Sequence, residues 1–327
     1  MSGNGASTYV ALSGGIGGAK LSLGLAHLLG ERLTVIANTG DDFEHLGLAI
    51  SPDVDTTLYT LADLVNPETG WGRRDETWNF MQSTAALGGP TWFNLGDKDL
   101  ATHVERTRRL HSGEPLTAIT ARLASAFGIA ARVLPMADTP VRTVVESDVG
   151  TLAFQEYFVR DRCQPVVRHI RYDGADAARV TPQIVSALSR SDLAGIVICP
   201  SNPWLSIDPI LAVPGVREAL RASGAPIIAI TPIVAGRALK GPTAKIMAEL
   251  GLSPDVRTIA EHYAGVIDGL VIDKTDEAAA PALPLATTVT NTVMHTLADK
   301  IDLAKFCLAF CAKLASQRDV KLQAGAR

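Results

Sequence analysis

The sequence predicts an α/β protein with a Rossmann-like, doubly wound, mostly parallel sheet, a helical cap insertion and a small antiparallel patch. Short apolar runs rich in Ile and Val alternate with helical segments, which is typical of strands buried in a parallel sheet. The first strand leads through a glycine-rich loop into a helix and a second strand. This order favours a right-handed βαβ unit, the building block of an open α/β sheet.

Length and composition limit the class of protein. The chain has 327 residues, 47% hydrophobic and 20% charged, which suits a large core and excludes a disordered chain. We interpret residues 1–327 as a single α/β domain, with the cap insertion at about residues 53–128. The net charge of −4 disfavours nucleic-acid and membrane binding, and the N-terminus lacks a secretory signal. We therefore expect a cytoplasmic protein.

The elements follow in chain order. The first unit has a strand at 9–12, a glycine loop at 13–18, a helix at 19–29 and a strand at 33–37. Four consecutive helices are then expected at 56–64, 76–87, 100–110 and 116–126. Antiparallel strands are expected at 142–146, 151–154 and 166–170. The later strands are predicted at 195–199, 227–230 and 266–272. Helices are predicted between them at 183–190, 216–222 and 244–250, with a closing helix at 291–316.

The glycine loop is the first candidate site. Its four glycines let the backbone approach a ligand closely, and the following helix start offers free N–H groups to a phosphate. A turn without a ligand would carry a large entropic cost for so many glycines. The sequence therefore predicts a phosphate site at Gly14, Gly15, Gly17, Gly18 and Lys20.

Two familiar phosphate motifs do not fit this loop. The dinucleotide fingerprint started at Gly15 places Lys20 at the third glycine, and Asn38 replaces the acidic residue after the second strand. A P-loop started at Gly14 has Ala19 and Leu21 where Gly and Ser or Thr belong. Both a nicotinamide oxidoreductase and an ordinary NTPase are therefore disfavoured.

Carboxylates follow the second strand and begin the next helix. Asp41 and Asp42 lie at the carboxyl end of the strand, where open sheets place ligands. Asp53 is a candidate N-cap, whereas Asp55 would lie in the first helical turn. Asp42 and Asp55 beside a phosphate would repel it without a cation between them. The sequence therefore predicts a Mg²⁺ site, since that ion prefers a few oxygen ligands shared with phosphate.

Long segments of the chain together resemble one family. The chain resembles the 2-phospho-L-lactate transferases of coenzyme F(420) biosynthesis from about residue 9 to about residue 312. The segments that carry the resemblance are SGGIGGAKL, NTGDD, ISPDVDTTLYTLADLVNPETGWGRRDETW, NLGDKDLATHVERT, LPMADTPVRT, FQEYFV, CPSNPWLSIDPIL, ITPIVAGRALKGPTAKIM and NTVMHTLADK.

The resemblance implies a reaction. A phospho-(three-carbon acid) group would pass from a guanosine diphosphate donor, carrying a lactyl, enolpyruvyl or glyceryl group, to a hydroxyl of 7,8-didemethyl-8-hydroxy-5-deazariboflavin (FO). GMP would be released and a coenzyme F(420)-0 type product formed. The implied cofactor is Mg²⁺, the partners are small molecules, and family members commonly form homodimers.

The resemblance also implies roles for single residues. FO would contact Asp55 and Asn94, although some family members carry a basic residue at the latter position. Metal ligands would be Asp55 and the Asp41–Asp42 pair, with Asp42 and Asp55 catalytic. Ser201 and Asn202 belong to the nucleotide-side loop. The base that takes the FO proton stays open: it is one of the carboxylates Asp42 and Asp55, or instead Asp97 or Asp99.

Several residues keep two interpretations. The tryptophans would either stack on the deazaflavin or pack in the core. The basic residues of the 100–110 helix would form a solvated face or grip the donor, and two later lysines would touch the nucleotide or only flank a helix start. A different class, a nucleotide-sugar-binding regulator without turnover, stays open as the alternative function. The residues concerned are Trp71, Trp78, Trp92, His103, Arg106, Arg109, Lys240 and Lys245.

Overall fold

The computed structural model of the chain describes residues 7–238 and 241–325, with side chains described to residue 318. Its strands are β1 (Thr8–Ser13), β2 (Leu33–Ala37), β3 (Phe43–His45), β4 (Leu48–Ile50), β5 (Arg132–Pro135), β6 (Arg142–Ser147), β7 (Gly150–Ala153), β8 (Val167–Asp173), β9 (Leu193–Ile198), β10 (Ile227–Ile230), β11 (Ile233–Val234), β12 (Arg237–Ala238), β13 (Gly269–Asp273) and β14 (Ala286–Thr290). Its α-helices are α1 (Gly15–Leu29), α2 (Pro52–Leu61), α3 (Asn79–Ala86), α4 (Asp97–His111), α5 (Leu116–Ala126), α6 (Pro182–Leu188), α7 (Asp208–Ala212), α8 (Val216–Ala222), α9 (Thr243–Glu249), α10 (Val256–His262) and α11 (Leu297–Gly325).

A seven-stranded parallel sheet organises the molecule. Its strand order is β14-β13-β10-β9-β1-β2-β5. From β1 the chain moves outward through β2 to β5, then returns to β9 on the other side of β1 and continues through β10. The strand order therefore reverses between β1 and β9, and such a switch point opens a crevice at the carboxyl ends of the strands. The prediction of a doubly wound parallel sheet is confirmed.

Helices cover both faces of this sheet because its strands are apolar on both sides. Tyr9 and Ala11 of β1 pack with α1 and α11, through residues such as Leu25 and Phe310. The alternate residues of β1 pack against α6–α10 on the opposite face. Gly24 lets α1 and α11 approach closely, since a Cβ there would clash with the carbonyl of Lys300.

Smaller pieces surround the carboxyl edge. Strands β7, β6 and β8 form the antiparallel patch that the sequence predicted, and α2–α5 lie between β4 and β5 as the helical cap. Two short antiparallel hairpins, β3–β4 and β11–β12, were not predicted. Both are formed by strands of two or three residues, which are too short for an alternation pattern to show.

Some predicted boundaries were wrong. Helix α1 begins at Gly15, so most of the predicted glycine loop is the first helical turn; Asp53 accepts the Gly15 N–H at 2.8 Å and so caps it. The edge strands β5 and β14 were missed, and α11 begins at Leu297 because the preceding residues continue from β14.

Candidate active site

A cavity of about 590 Å³ lies at the switch point. Its wall combines the first turn of α1 with the segments that follow β2, β9, β10 and β14. The helical cap and the turn after β7 complete the wall on the β2 side. Nine of the predicted site residues line it, namely Gly14, Gly15, Gly17, Lys20, Asp41, Asp55, Asn94, Ser201 and Asn202. The sequence therefore located the cavity from segments far apart in the chain.

Close contacts with neighbouring segments explain why most of these positions at the start of α1 are glycine. A Cβ on Gly17 would clash with the carbonyl oxygen of Pro200, and one on Gly14 would lie 2.6 Å from Ser206 Cβ. Gly18 does not line the cavity, because it packs against the hydroxyls of Ser13 and Ser201. Gly15 differs: its φ is +63° and a Cβ there would meet nothing. The close contacts of Gly18 therefore account for that glycine by packing, away from the cavity wall.

Polar side chains of the loop after β9 form hydrogen bonds with the backbone, and one of their donors has no protein partner within the described chain. Ser201 Oγ donates to the Gly14 carbonyl at 2.8 Å, joining the β9 loop to the α1 start. Asn202 Oδ1 accepts the N–H groups of Trp204 and Leu205. Its buried Nδ2 has no partner within the described chain, so it can donate to a ligand. Lys20 lines the same wall and donates from Nζ to the Met294 carbonyl at 2.9 Å.

Two carboxylates of the cavity wall accept hydrogen bonds from one amide. Asn38 Nδ2 donates to Asp41 Oδ1 and to Asp53 Oδ2, each at 2.9 Å. Burial raises the pKa of Asp53 to about 6. Burial, and then the Asp53 charge, raises the pKa of Asp41 well above its usual range. Both side chains line the cavity, and a divalent cation would relieve their repulsion. The residues present therefore fit Mg²⁺.

Asp42 is not where the sequence placed it. Its side chain lies behind the cavity wall, where Oδ2 accepts the Ser51 hydroxyl at 2.7 Å. Burial raises its pKa to about 7, against the lowering effect of Arg142. The structure therefore does not place Asp42 in the cavity wall, because the strand end turns Asp41 toward the cavity and Asp42 away from it.

Asp55 lines the cavity but is paired with a buried arginine. Arg106 forms an ion pair with Asp55 through both carboxylate oxygens and is itself fully buried. The sequence interpretations of Arg106, a solvated face or a grip on the donor, were both wrong. The signal in the sequence was its spacing from His103, which places both on the face of α4 that packs on α2.

A second polar group surrounds His103. Its Nδ1 lies 3.6 Å from Asp55 Oδ2, and its Nε2 lies 3.4 Å from Asp99 Oδ1. Tyr59 donates its hydroxyl to the same Asp99 oxygen at 2.5 Å. Asp55, Asp99 and His103 bring ligand atoms within 4.8 Å of one another. Because Arg106 already neutralises Asp55, this group has less need of a cation than the Asp41–Asp53 pair.

Two of the candidates for the base, Asp97 and Asp99, differ in position. Asp97 does not line the cavity and caps α3 by accepting the N–H groups of Asn79 and Phe80. The Thr77 hydroxyl bond, with these backbone bonds, lowers the pKa of Asp97 to about 2. Asp99 lines the cavity beside His103. Of the two, only Asp99 is placed to meet a substrate.

Aromatic rings line the cap side. Trp71 and Trp92 reach the cavity, whereas Trp78 does not. Trp92 packs with Phe43, His45 and Phe93 at ring-centroid distances of 5.1–5.9 Å. The wall therefore offers flat apolar surface next to the exposed amide of Asn94.

Within the described chain, two of the basic residues considered in the sequence analysis, Arg109 and Lys245, do not line this wall. Arg109 pairs with Glu105 and Glu114, which agrees with the interpretation of a solvated helix face. Lys245 donates to the Pro165 carbonyl and pairs with Glu249. Lys240 lies outside the described residues.

Fold and cavity define an open-sheet α/β protein with a ligand site at its switch point, and comparisons with known proteins narrow the class. A family model described as 2-phospho-L-lactate transferase CofD matches residues 9–301. This chain belongs to that family of transferases. A phosphoenolpyruvate transferase from Streptomyces griseus is 42% identical over 284 residues, covering 85% of this chain and 89% of the relative.

Other relatives agree with this assignment. A phosphoenolpyruvate transferase from Mycobacterium avium is 38% identical over 314 residues, covering 85% of this chain and 93% of the relative. A solved structure of a UPF0052 family protein from Bacillus halodurans matches with a TM-score of 0.63 at 16% identity, covering 94% of this chain and 100% of that chain. This last likeness shows the fold alone. Within the described residues, no helix combines the length and apolar character needed to cross a membrane.

Proposed function

We propose that this chain transfers the enolpyruvyl phosphate group of a guanosine diphosphate donor to the ribityl hydroxyl of FO, with release of GMP. The family gives the reaction type. The enolpyruvyl donor is chosen over the lactyl and glyceryl ones because the relatives from S. griseus and M. avium are named phosphoenolpyruvate transferases. The product belongs to the path to coenzyme F(420).

One observation carries the proposal. A single cavity joins the α1 start and Asn202 on one side to aromatic rings and Asn94 on the other, with the Asp41–Asp53 pair also in its wall. A transfer between two bound molecules needs both reacting atoms held about 3–3.5 Å apart. We therefore assign the nucleotide to the β9 side and FO to the cap side.

Mg²⁺ is the proposed cofactor, and Asp41 with Asp53 would hold it. When bound, it would neutralise charge on the diphosphate. Such transfers depend on positioning and charge neutralisation more than on covalent catalysis. The positive end of the α1 dipole and the Lys20 ammonium, which lines the same wall, would add to this neutralisation. Asp55, which Arg106 fixes in place, is assigned to the FO hydroxyl as the family resemblance implies.

The bond changes balance without a further reactant. The FO hydroxyl oxygen attacks the phosphorus that carries the three-carbon acid. The bond between that phosphorus and the bridging oxygen breaks, and GMP leaves with the electron pair. The hydroxyl proton passes to the Asp99–His103 pair, which lies in the cavity wall. A well-placed base of this kind contributes roughly 10²–10⁴-fold in rate.

A GMP-release assay tests the proposal. The purified protein is mixed with FO, Mg²⁺ and the enolpyruvyl donor, and GMP is followed by chromatography. We expect release that requires all three and is lost with EDTA. Asp53→Asn should abolish it, and the exposed Asp302→Asn should not. A regulator without turnover would bind the donor and release nothing, and that result would contradict the proposal.

A further inference from the structure

The cavity wall holds an aromatic surface that the transfer chemistry does not use. Trp71 is 48% exposed, although a tryptophan usually gains from burial. Trp78 lies in the same part of the cap with 41% exposure, but it is outside the cavity. Trp71 therefore presents a large ring to the inside of the site, and Trp78 provides a comparison for it.

The backbone around Trp71 fixes this position. An isolated bridge pairs Val65 with Arg73, and the Thr69 hydroxyl donates to the Trp71 carbonyl at 2.7 Å. Gly70 has a φ of +78°, and a Cβ there would lie 2.9 Å from Ile16 Cγ2. The loop therefore rests on the first turn of α1. This contact holds Trp71 beside the position proposed for the donor phosphates.

The other tryptophan, tyrosine and phenylalanine rings of the cavity wall have ring partners. Trp92 packs with three rings, and Phe154 stacks on Phe158 with centroids 5.3 Å apart at 22°. Among the described residues, Trp71 makes no ring-to-ring contact. A flat ligand could therefore cover it without displacing a protein ring, and offset stacking is the arrangement that aromatic pairs favour.

We propose that Trp71 stacks on the tricyclic ring of the acceptor, with Trp92 forming the fixed edge of the same subsite. This inference rests on the proposed function, since it takes FO as the acceptor. Trp92 is followed by Phe93 and Asn94, so the ring surface and the polar contact proposed for FO lie on one short segment. Trp71 then determines acceptor affinity and leaves nucleotide affinity alone.

Calorimetry on Trp71→Ala tests the inference, with Trp78→Ala as the matched control. FO is titrated into protein saturated with GDP and Mg²⁺, and GDP is titrated separately. We expect the FO Kd of Trp71→Ala to rise about 10- to 100-fold, as stacking contacts do on alanine substitution. The GDP Kd and the Tm should stay unchanged, and Trp78→Ala should match the wild type in every titration.

Three results would overturn the inference. An unchanged FO Kd in Trp71→Ala would show that the ring lies elsewhere. A weakened GDP Kd with FO binding retained would assign Trp71 to the guanine base. Wild-type protein that binds GDP but not FO would refute the proposed acceptor, and the inference with it. The first two results leave the proposed function standing, so the two failures are distinguishable.

Discussion

At the residue scale, the buried Arg106–Asp55 pair dominates the cap side of the site. Removing one partner of such a pair leaves an uncompensated buried charge, which typically costs about 3–5 kcal/mol. We expect Arg106→Gln to lower the free energy of unfolding by that amount at pH 7, measured by urea denaturation. Arg109→Gln is the control on the same helix, and its midpoint should barely move. Equal midpoints for the two variants would contradict the account.

A pH dependence follows from the buried carboxyls. Burial raises the pKa of Asp42 from about 4 in the unfolded chain to about 7, so the folded state binds this proton more tightly. The stability it contributes is present below about pH 4 and is lost as the pH rises through about 7. Wild-type protein in EDTA should therefore lose stability between about pH 4 and pH 7.

Asp42→Asn isolates this effect. The amide of the variant is neutral and can still accept the Ser51 hydroxyl. The pH-dependent loss in its free energy of unfolding should therefore be smaller than in the wild type, by as much as about 4 kcal/mol over the full titration. Urea denaturation at several pH values measures it, with the exposed Asp302→Asn as a control. Identical pH profiles for wild type and Asp42→Asn would show that Asp42 is already ionised in the folded state.

At the element scale, the start of α1 contains glycines that are needed for close packing and one glycine, Gly15, that faces the open cavity. Gly17→Ala should cost roughly 1–3 kcal/mol by overpacking against the Pro200 carbonyl. Gly15→Asn should be tolerated, because asparagine accepts a positive φ and its side chain meets open cavity. We expect the second variant to keep its Tm and lose at least about 10-fold in GDP affinity, since it obstructs the proposed phosphate position.

The variants Gly17→Ala and Gly15→Asn together also test the proposed phosphate site. Thermal denaturation and GDP calorimetry measure both variants. Undiminished GDP affinity in Gly15→Asn would show that the phosphates bind elsewhere.

The same helix shows what a sequence can reveal. The glycines and the carboxylates were recognisable as a group, and both lie at the predicted end of the sheet. The separate role of each residue was not recognisable, because it depends on partners that are remote in the chain. Gly17 leaves room for the Pro200 carbonyl, and Asp53 caps α1. Likewise, neither interpretation of Arg106, a solvated face or a grip on the donor, anticipated its buried ion pair with Asp55 of α2.

At the scale of the whole molecule, the parallel sheet was predictable because its central strands are continuously apolar. Its edges β5 and β14 were not: β5 has four residues including a proline, and β14 is rich in threonine and only partly buried. Strand β14 lacks the two-sided burial that produces an apolar run, whereas β5 is buried at three of its positions and was missed because it is so short and ends in proline. The single-domain and homodimer predictions stand as predictions, and light scattering can test the second.

The mass of the acceptor product tests the central claim most directly. Protein, Mg²⁺, FO and the enolpyruvyl donor are incubated, and FO-derived species are analysed by mass spectrometry beside the GMP yield. The account predicts FO that has gained one enolpyruvyl phosphate group, with one GMP released per product. GMP release with FO unchanged, or FO carrying a guanylyl group, would contradict it.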